Sequence, residues 1–169
     1  MNLSRILRVS WCLCLLSASS GAWAQDLGEW RALTEEEENA RTEDVESDSI
    51  DPAMIEADFD GDKIEDGALI AIRKSDGARG LIVVMKDRVH VIDTEHIGPK
   101  DGLGLAPPGS WDTVCGNAFR EFHREACNSG YPARIKLKTP GILLIGNGST
   151  VLHFWNPRTK RFNQATIVD

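Results

Sequence analysis

The chain has little of what most function classes need. After Leu16 it holds no apolar run near the ~20 residues that span a bilayer, which excludes a helical membrane protein. It holds no basic excess: residues 52–169 carry 15 acidic and 15 basic side chains. Without a basic groove, nucleic acid is not an expected partner. Neither Ser110 nor Ser149 sits in a Gly-x-Ser-x-Gly elbow, and His90, His96, His123 and His153 lack metal-ligand spacing. Gly102-Leu103-Gly104 starts like a dinucleotide fingerprint, but Pro107 stands at the third glycine position and no strand-to-helix unit surrounds it. No enzyme class emerges, and the chain is expected to be non-catalytic.

What is present begins with an export signal. Arg5 and Arg8 precede the short apolar stretch Val9 to Leu16, and Ala22-Trp23-Ala24 offers an A-x-A cleavage site before Gln25. A secreted or periplasmic chain of residues 25–169 is expected, without a lipid anchor because no cysteine follows the cleavage point. Cys12 and Cys14 leave with the signal, so Cys115 and Cys127 remain, and in an oxidising compartment they are expected to pair. A bridge over so short a loop contributes roughly 3 kcal/mol. The competing arrangement, Cys115-x7-His123-x3-Cys127 around zinc, follows no common spacing and lacks a fourth ligand. Phe119 and Phe122 inside this segment fit either a stapled recognition loop or a small satellite core.

Charge divides the remainder. Residues 25–51 hold 11 acids against Arg31 and Arg41, a net of −9, whereas residues 52–169 are balanced. Thr34 and Glu37 are placed as a capping box, so a helix from about Thr34 to Val45 is one expectation. A solvated acidic linker is the other, because Leu33, Ala40 and Val45 give only a thin apolar stripe. On the linker reading, residues 25–51 are dispensable and 52–169 form one domain, entered at Asp51-Pro52.

That domain reads as mainly β. Strands are expected at Met54 to Asp58, Ala68 to Arg73, Leu81 to Met85 and Arg88 to Asp93, joined by short turns into a meander. Leu-Ile-Val-Val-Met at 81–85 is continuous, so it should be buried on both faces, while 88–93 alternates Val89 and Val91 against His90 and Ile92. Residues 98–112 are rich in Gly and Pro and read as loop. Ala133 to Lys138 alternates Ile135 and Leu137 with Arg134, Lys136 and Lys138. Gly141 to Ile145 is a further buried strand, and Thr150 to Trp155 and Arg161 to Val168 form a closing hairpin. The sum is an antiparallel, sandwich-like single domain, with Lys136, Lys138, Lys160 and Arg161 guarding its edges.

The densest chemistry is Asp58-Phe59-Asp60-Gly61-Asp62-Lys63-Ile64-Glu65-Asp66, with aspartates at positions 1, 3, 5 and 9. Their mutual repulsion is relieved either by a hard cation such as Ca²⁺, which takes six to eight oxygens, or by backbone amides within an acidic turn. With the apolar strand after it, this stretch resembles the FG-GAP/VCBS calcium loops of integrin-type β-propellers. The resemblance implies Asp58, Asp60, Asp62 and Asp66 as side-chain ligands and Ile64 as a carbonyl ligand of Ca²⁺. It covers residues 54–85 and occurs once. Lys63 departs from the family's second glycine, which predicts weak calcium binding, since a left-handed backbone there strains lysine by about 1 kcal/mol. The 118 residues from Pro52 are too few for a propeller of about 40 residues per blade, so one blade-like unit is expected. Pro107-Pro108-Gly109 and the ending Phe154-Trp155…Phe162 resemble small exported bacterial proteins.

The function expected from these features is a small exported domain that binds a protein partner in the cell envelope. An antagonist or immunity-type inhibitor of a periplasm-active toxin or hydrolase is one concrete form. A calcium-binding module that recognises envelope glycan or protein, and a hydrolase using the acidic loop, are the alternatives.

Overall fold

A computed structural model describes residues 26–43, 51–86, 88–116, 127, 130, 132–146 and 148–167. Residues 1–25, where the export signal is expected, residues 44–50, residues 117–126 with Phe119, Phe122 and His123, and Val168 lie outside the described residues. Among the described residues no helix is long and apolar enough to cross a membrane.

The fold is mainly β and antiparallel, with one short helix, as the sequence predicts. It opens with β1 (Trp30–Ala32) and α1 (Glu35–Thr42). Next come β2 (Met54–Ala57), β3 (Asp66–Arg73), β4 (Arg79–Met85) and β5 (Arg88–Asp93). β1 to β5 form the first sheet, in the order β1-β3-β4-β5. β1 and β2 share one edge of β3 end to end: Trp30 pairs with Arg73, and Ala57 with Asp66. The second sheet orders β11-β10-β9-β6, from β6 (Gly102–Ala106), β9 (Gly141–Gly146), β10 (Ser149–Asn156) and β11 (Arg161–Ile167). β7 (Gly109–Asp112) and β8 (Arg134–Leu137) make a two-stranded third sheet.

Alternation along each strand assigns the layers. Ala68 and Ile70 of β3 and Leu81, Val83 and Met85 of β4 meet Leu103, Ile142 and Leu144 of the second sheet around Phe59. Leu152, Ala165 and Ile167 point the other way, onto Ile135 and Leu137 of the third sheet. Leu69, Ala71, Ile82 and Val84 turn outward and are covered in part by Trp30. The prediction that β4 is buried on both faces therefore holds.

Two expectations need correction. Residues 98–112 are not a loop, for they supply β6 and β7. Glycine is required in β6 by close approach, since a Cβ on Gly102 would fall 2.4 Å from Cβ of Asp51. The acidic segment is also not a bare linker. Thr34 caps α1 with the full reciprocal capping box to Glu37, and Trp30, 2% exposed, belongs to the first sheet.

Candidate metal centre

The aspartate loop bridges β2 and β3, and three contacts hold it. Phe59 is fully buried between the sheets. The Thr139 hydroxyl, from the turn between β8 and β9, donates to the Phe59 carbonyl at 2.8 Å. Asp66, the first residue of β3 and 1% exposed, accepts the Phe59 amide at 3.0 Å. Gly61 (φ 85°) and Lys63 (φ 72°) are both left-handed. The lysine that departs from the family pattern thus occupies the backbone region that favours glycine.

Backbone amides line the carboxylates. Asp58 accepts from Gly61 at 2.7 Å and Asp62 at 3.0 Å through Oδ1, and from Lys63 at 2.9 Å through Oδ2. Asp60 Oδ1 accepts from Asp62 at 3.0 Å, and Asp62 Oδ1 from Ile64 at 2.8 Å. One carboxylate oxygen each from Asp58, Asp60 and Asp66 comes within 4.8 Å of the others. Asp62 is not in that group; its Oδ2 pairs with Lys86 Nζ at 2.6 Å. Ile64 lies at the exposed rim, 49% accessible.

The electrostatics separate the four acids. Burial, and then the charges of Asp60, Asp62 and Asp58, push the Asp66 carboxyl up to about 6, against the pull of the Phe59 amide. The Lys86 ammonium, followed by the Ile64 amide, holds Asp62 below the usual carboxylate range. Lys86 is raised in return, chiefly by Asp62. Lys86 thus supplies a counter-charge to the loop, while the Lys63 side chain is exposed and makes no ion pair among the described residues. The register of β3 against β4, with Gly67 opposite Val84, brings the turn after Met85 beside the end of the loop.

The other candidates fall elsewhere. Cys115 and Cys127 are disulfide-bonded, with Cα atoms 5.5 Å apart, a normal span for a bridge. His153 is 1% exposed, and its Nε2 has no hydrogen-bond partner among the described residues. Burial foremost, then the nearby His96, lowers it to about 4, opposed by Asp93. Asp93 itself takes His96 Nδ1 at 3.2 Å.

Compared with known families, with curated proteins and with solved structures, the chain shows no match.

Proposed function

We propose that this chain is a non-catalytic exported β domain that binds a protein partner in the cell envelope, and that Ca²⁺ in its aspartate loop stabilises the domain. The observation that carries the ion is the convergence of Asp58, Asp60 and Asp66 within 4.8 Å, with Asp66 buried beneath the loop. Three carboxylates that share one small volume attract a hard, oxygen-seeking cation. The left-handed backbone at Lys63 supports the FG-GAP-like reading, because the family places glycine there. Asp58, Asp60 and Asp66 would hold the ion, and Asp62 would join only by exchanging Lys86 for it. The disulfide-bonded cysteines are compatible with an oxidising compartment.

The test of the ion is the unfolding midpoint of the full chain in Ca²⁺ or Mg²⁺. A ligand that binds only the folded state at ten times its Kd adds about 1.4 kcal/mol, a rise of a few degrees. Mg²⁺ should do less, because it gives up its waters reluctantly. Asp60→Asn should remove the response, and Lys63→Gly and Lys86→Gln should each strengthen it. A midpoint unmoved by 10 mM Ca²⁺ in both the natural chain and Lys63→Gly would overturn the ion and leave the acidic turn. Turnover of peptidoglycan that disappears in Asp60→Ala would overturn the non-catalytic assignment.

A further inference from the structure

β5 ends the first sheet and β11 the second; among the described residues no strand lies beside the outer edge of β5, and that of β11 is bridged at its far end, where Thr113 pairs with Ile167. These edges line one cleft of about 450 Å³, formed by Val89, His90, Val91 and Ile92 on one side and Lys160, Arg161 and Phe162 on the other. Consecutive residues line both walls, which means the cleft runs along strand edges and not across a side-chain face. Behind it the aromatic rings close the gap between the layers: Trp155 meets His90 at 5.7 Å and Phe162 at 5.2 Å, edge to face in each case.

The opposite side of the sandwich is different. There the Leu103 amide of β6 donates to the Pro52 carbonyl at 2.7 Å, and Gly102 lies directly against Asp51. The layers are laced together on that side and open at β5 and β11. A strand added to an edge lies about 4.8 Å from it and continues its sheet, so a chain laid along β5 would extend the first sheet beside the cleft.

Charge selects that chain. Among the described residues no carboxylate lines the cleft, and Lys160 and Arg161 stand exposed on one wall. Arg88, also exposed, begins the other wall and acts electrostatically on His90, opposed there by the more weakly acting Asp60 outside the lining. The side chains of Arg88, Lys160 and Arg161 have no acidic partner among the described residues. We propose that the cleft between β5 and β11 binds an extended acidic peptide segment of the partner, which adds to the free edge of β5 as a further strand. Arg88 and His90, two apart on β5, share one face, so the added strand would set apolar side chains beside His90 and Phe162 and its acidic groups within reach of Arg88, Lys160 and Arg161. Main-chain hydrogen bonds supply affinity in such strand addition, and alternate side chains supply selectivity. The proposal rests on the partner-binding reading and is independent of the cation loop.

The probe is a fluorescein-labelled octapeptide of alternating valine and glutamate, titrated against the full chain. Two controls replace its glutamates with lysine or its valines with proline. Binding of the valine–glutamate peptide alone is expected, with slowing of amide exchange at Val89 to Ile92 of tenfold or more at saturation. Lys160→Glu with Arg161→Glu should weaken it at least tenfold without moving the unfolding midpoint. Equal binding of either control peptide would overturn the proposal, as would protection confined to another strand. Concentration-dependent dimerisation that protects the same amides would make a second copy the occupant and would also overturn it. A native envelope partner whose affinity survives the double charge reversal would overturn the cleft while leaving the partner-binding reading intact.

Discussion

His153 stands on β10 opposite Ile142 of β9 and Gln164 of β11. Its Nε2 is buried without a partner among the described residues, an arrangement that disfavours the charged ring most of all. With its folded value lowered to about 4 and an unfolded value near 6.5, the ring is neutral in both states above pH 6.5. As pH falls from 6.5 toward 4 the unfolded chain takes the proton first, so stability drops by about 1.4 kcal/mol per unit, or about 3 kcal/mol in all. Asp66, raised to about 6, works in the opposite direction. Below that value the folded state binds its proton before the unfolded one, and stability rises. The histidine contribution is therefore read as a difference between two chains. His153→Leu, which removes the orphaned nitrogen at similar volume, should lose distinctly less midpoint between pH 7 and pH 5 than the natural chain. Parallel decline in both would mean that His153 does not titrate as its burial dictates. Sequence could not place this residue, because alternation along β10 marks a face without saying that a second layer covers it. The aspartate spacing, by contrast, located the loop directly. What it concealed was Lys86, which arrives from a different turn.

Elements were legible where one face is wet or where a continuous apolar run fills both, and opaque where glycine replaces bulk or a short strand sits in an acidic segment. Ile135 and Leu137 against Arg134 and Lys136 announced β8, and the turn Asn156 to Lys160 announced the hairpin of β10 and β11. β6 escaped notice because Gly102 and Gly104 look like turn residues, whereas they admit Asp51 and the Ile145 side chain at close range. β1 escaped because its three residues sit inside a segment of net charge −9. Trp30 makes that strand consequential. Its ring lies so near Gly80 that a Cβ there would come within 2.6 Å of it, and Arg73 stacks over it at 5.1 Å. Removing a buried tryptophan typically costs 3–5 kcal/mol. Trp30→Ala, and a chain that starts at Pro52, should therefore both lose more than about 10 °C of unfolding midpoint. A truncated chain that unfolds within a few degrees of the full one would return residues 25–51 to the status of a solvated linker. Gly80→Ala should resemble Trp30→Ala in direction, because the added methyl group displaces the same ring.

At the scale of the molecule, three stacked sheets use β6 and β9 to β11 as a middle layer buried on both faces. The disulfide lies where the third sheet joins that layer. Thr113, fully buried, pairs with Ile167 of β11, and its hydroxyl donates to the Pro132 carbonyl at 2.6 Å and accepts the Cys115 amide at 3.1 Å. The Val114 amide adds a bond to the Thr166 carbonyl at 3.1 Å. Cys115 is therefore anchored by the packed layers, and the bond to Cys127 ties a segment 12 residues further along to that anchor. The bond should act mainly by restricting the unfolded chain, which for a loop of this length is worth about 3 kcal/mol. Cys115→Ser, Cys127→Ser and the double variant should then lose the same 2–4 kcal/mol, because all three delete one cross-link. Reductant should impose that loss on the natural chain and on none of the variants. Denaturant titration gives each value, and thiol titration of unfolded but unreduced protein from an oxidising compartment should find no free thiol. Single losses that add in the double variant would mean that each cysteine acts through its own packing. Stoichiometric zinc released on denaturation would replace the bridge with a metal.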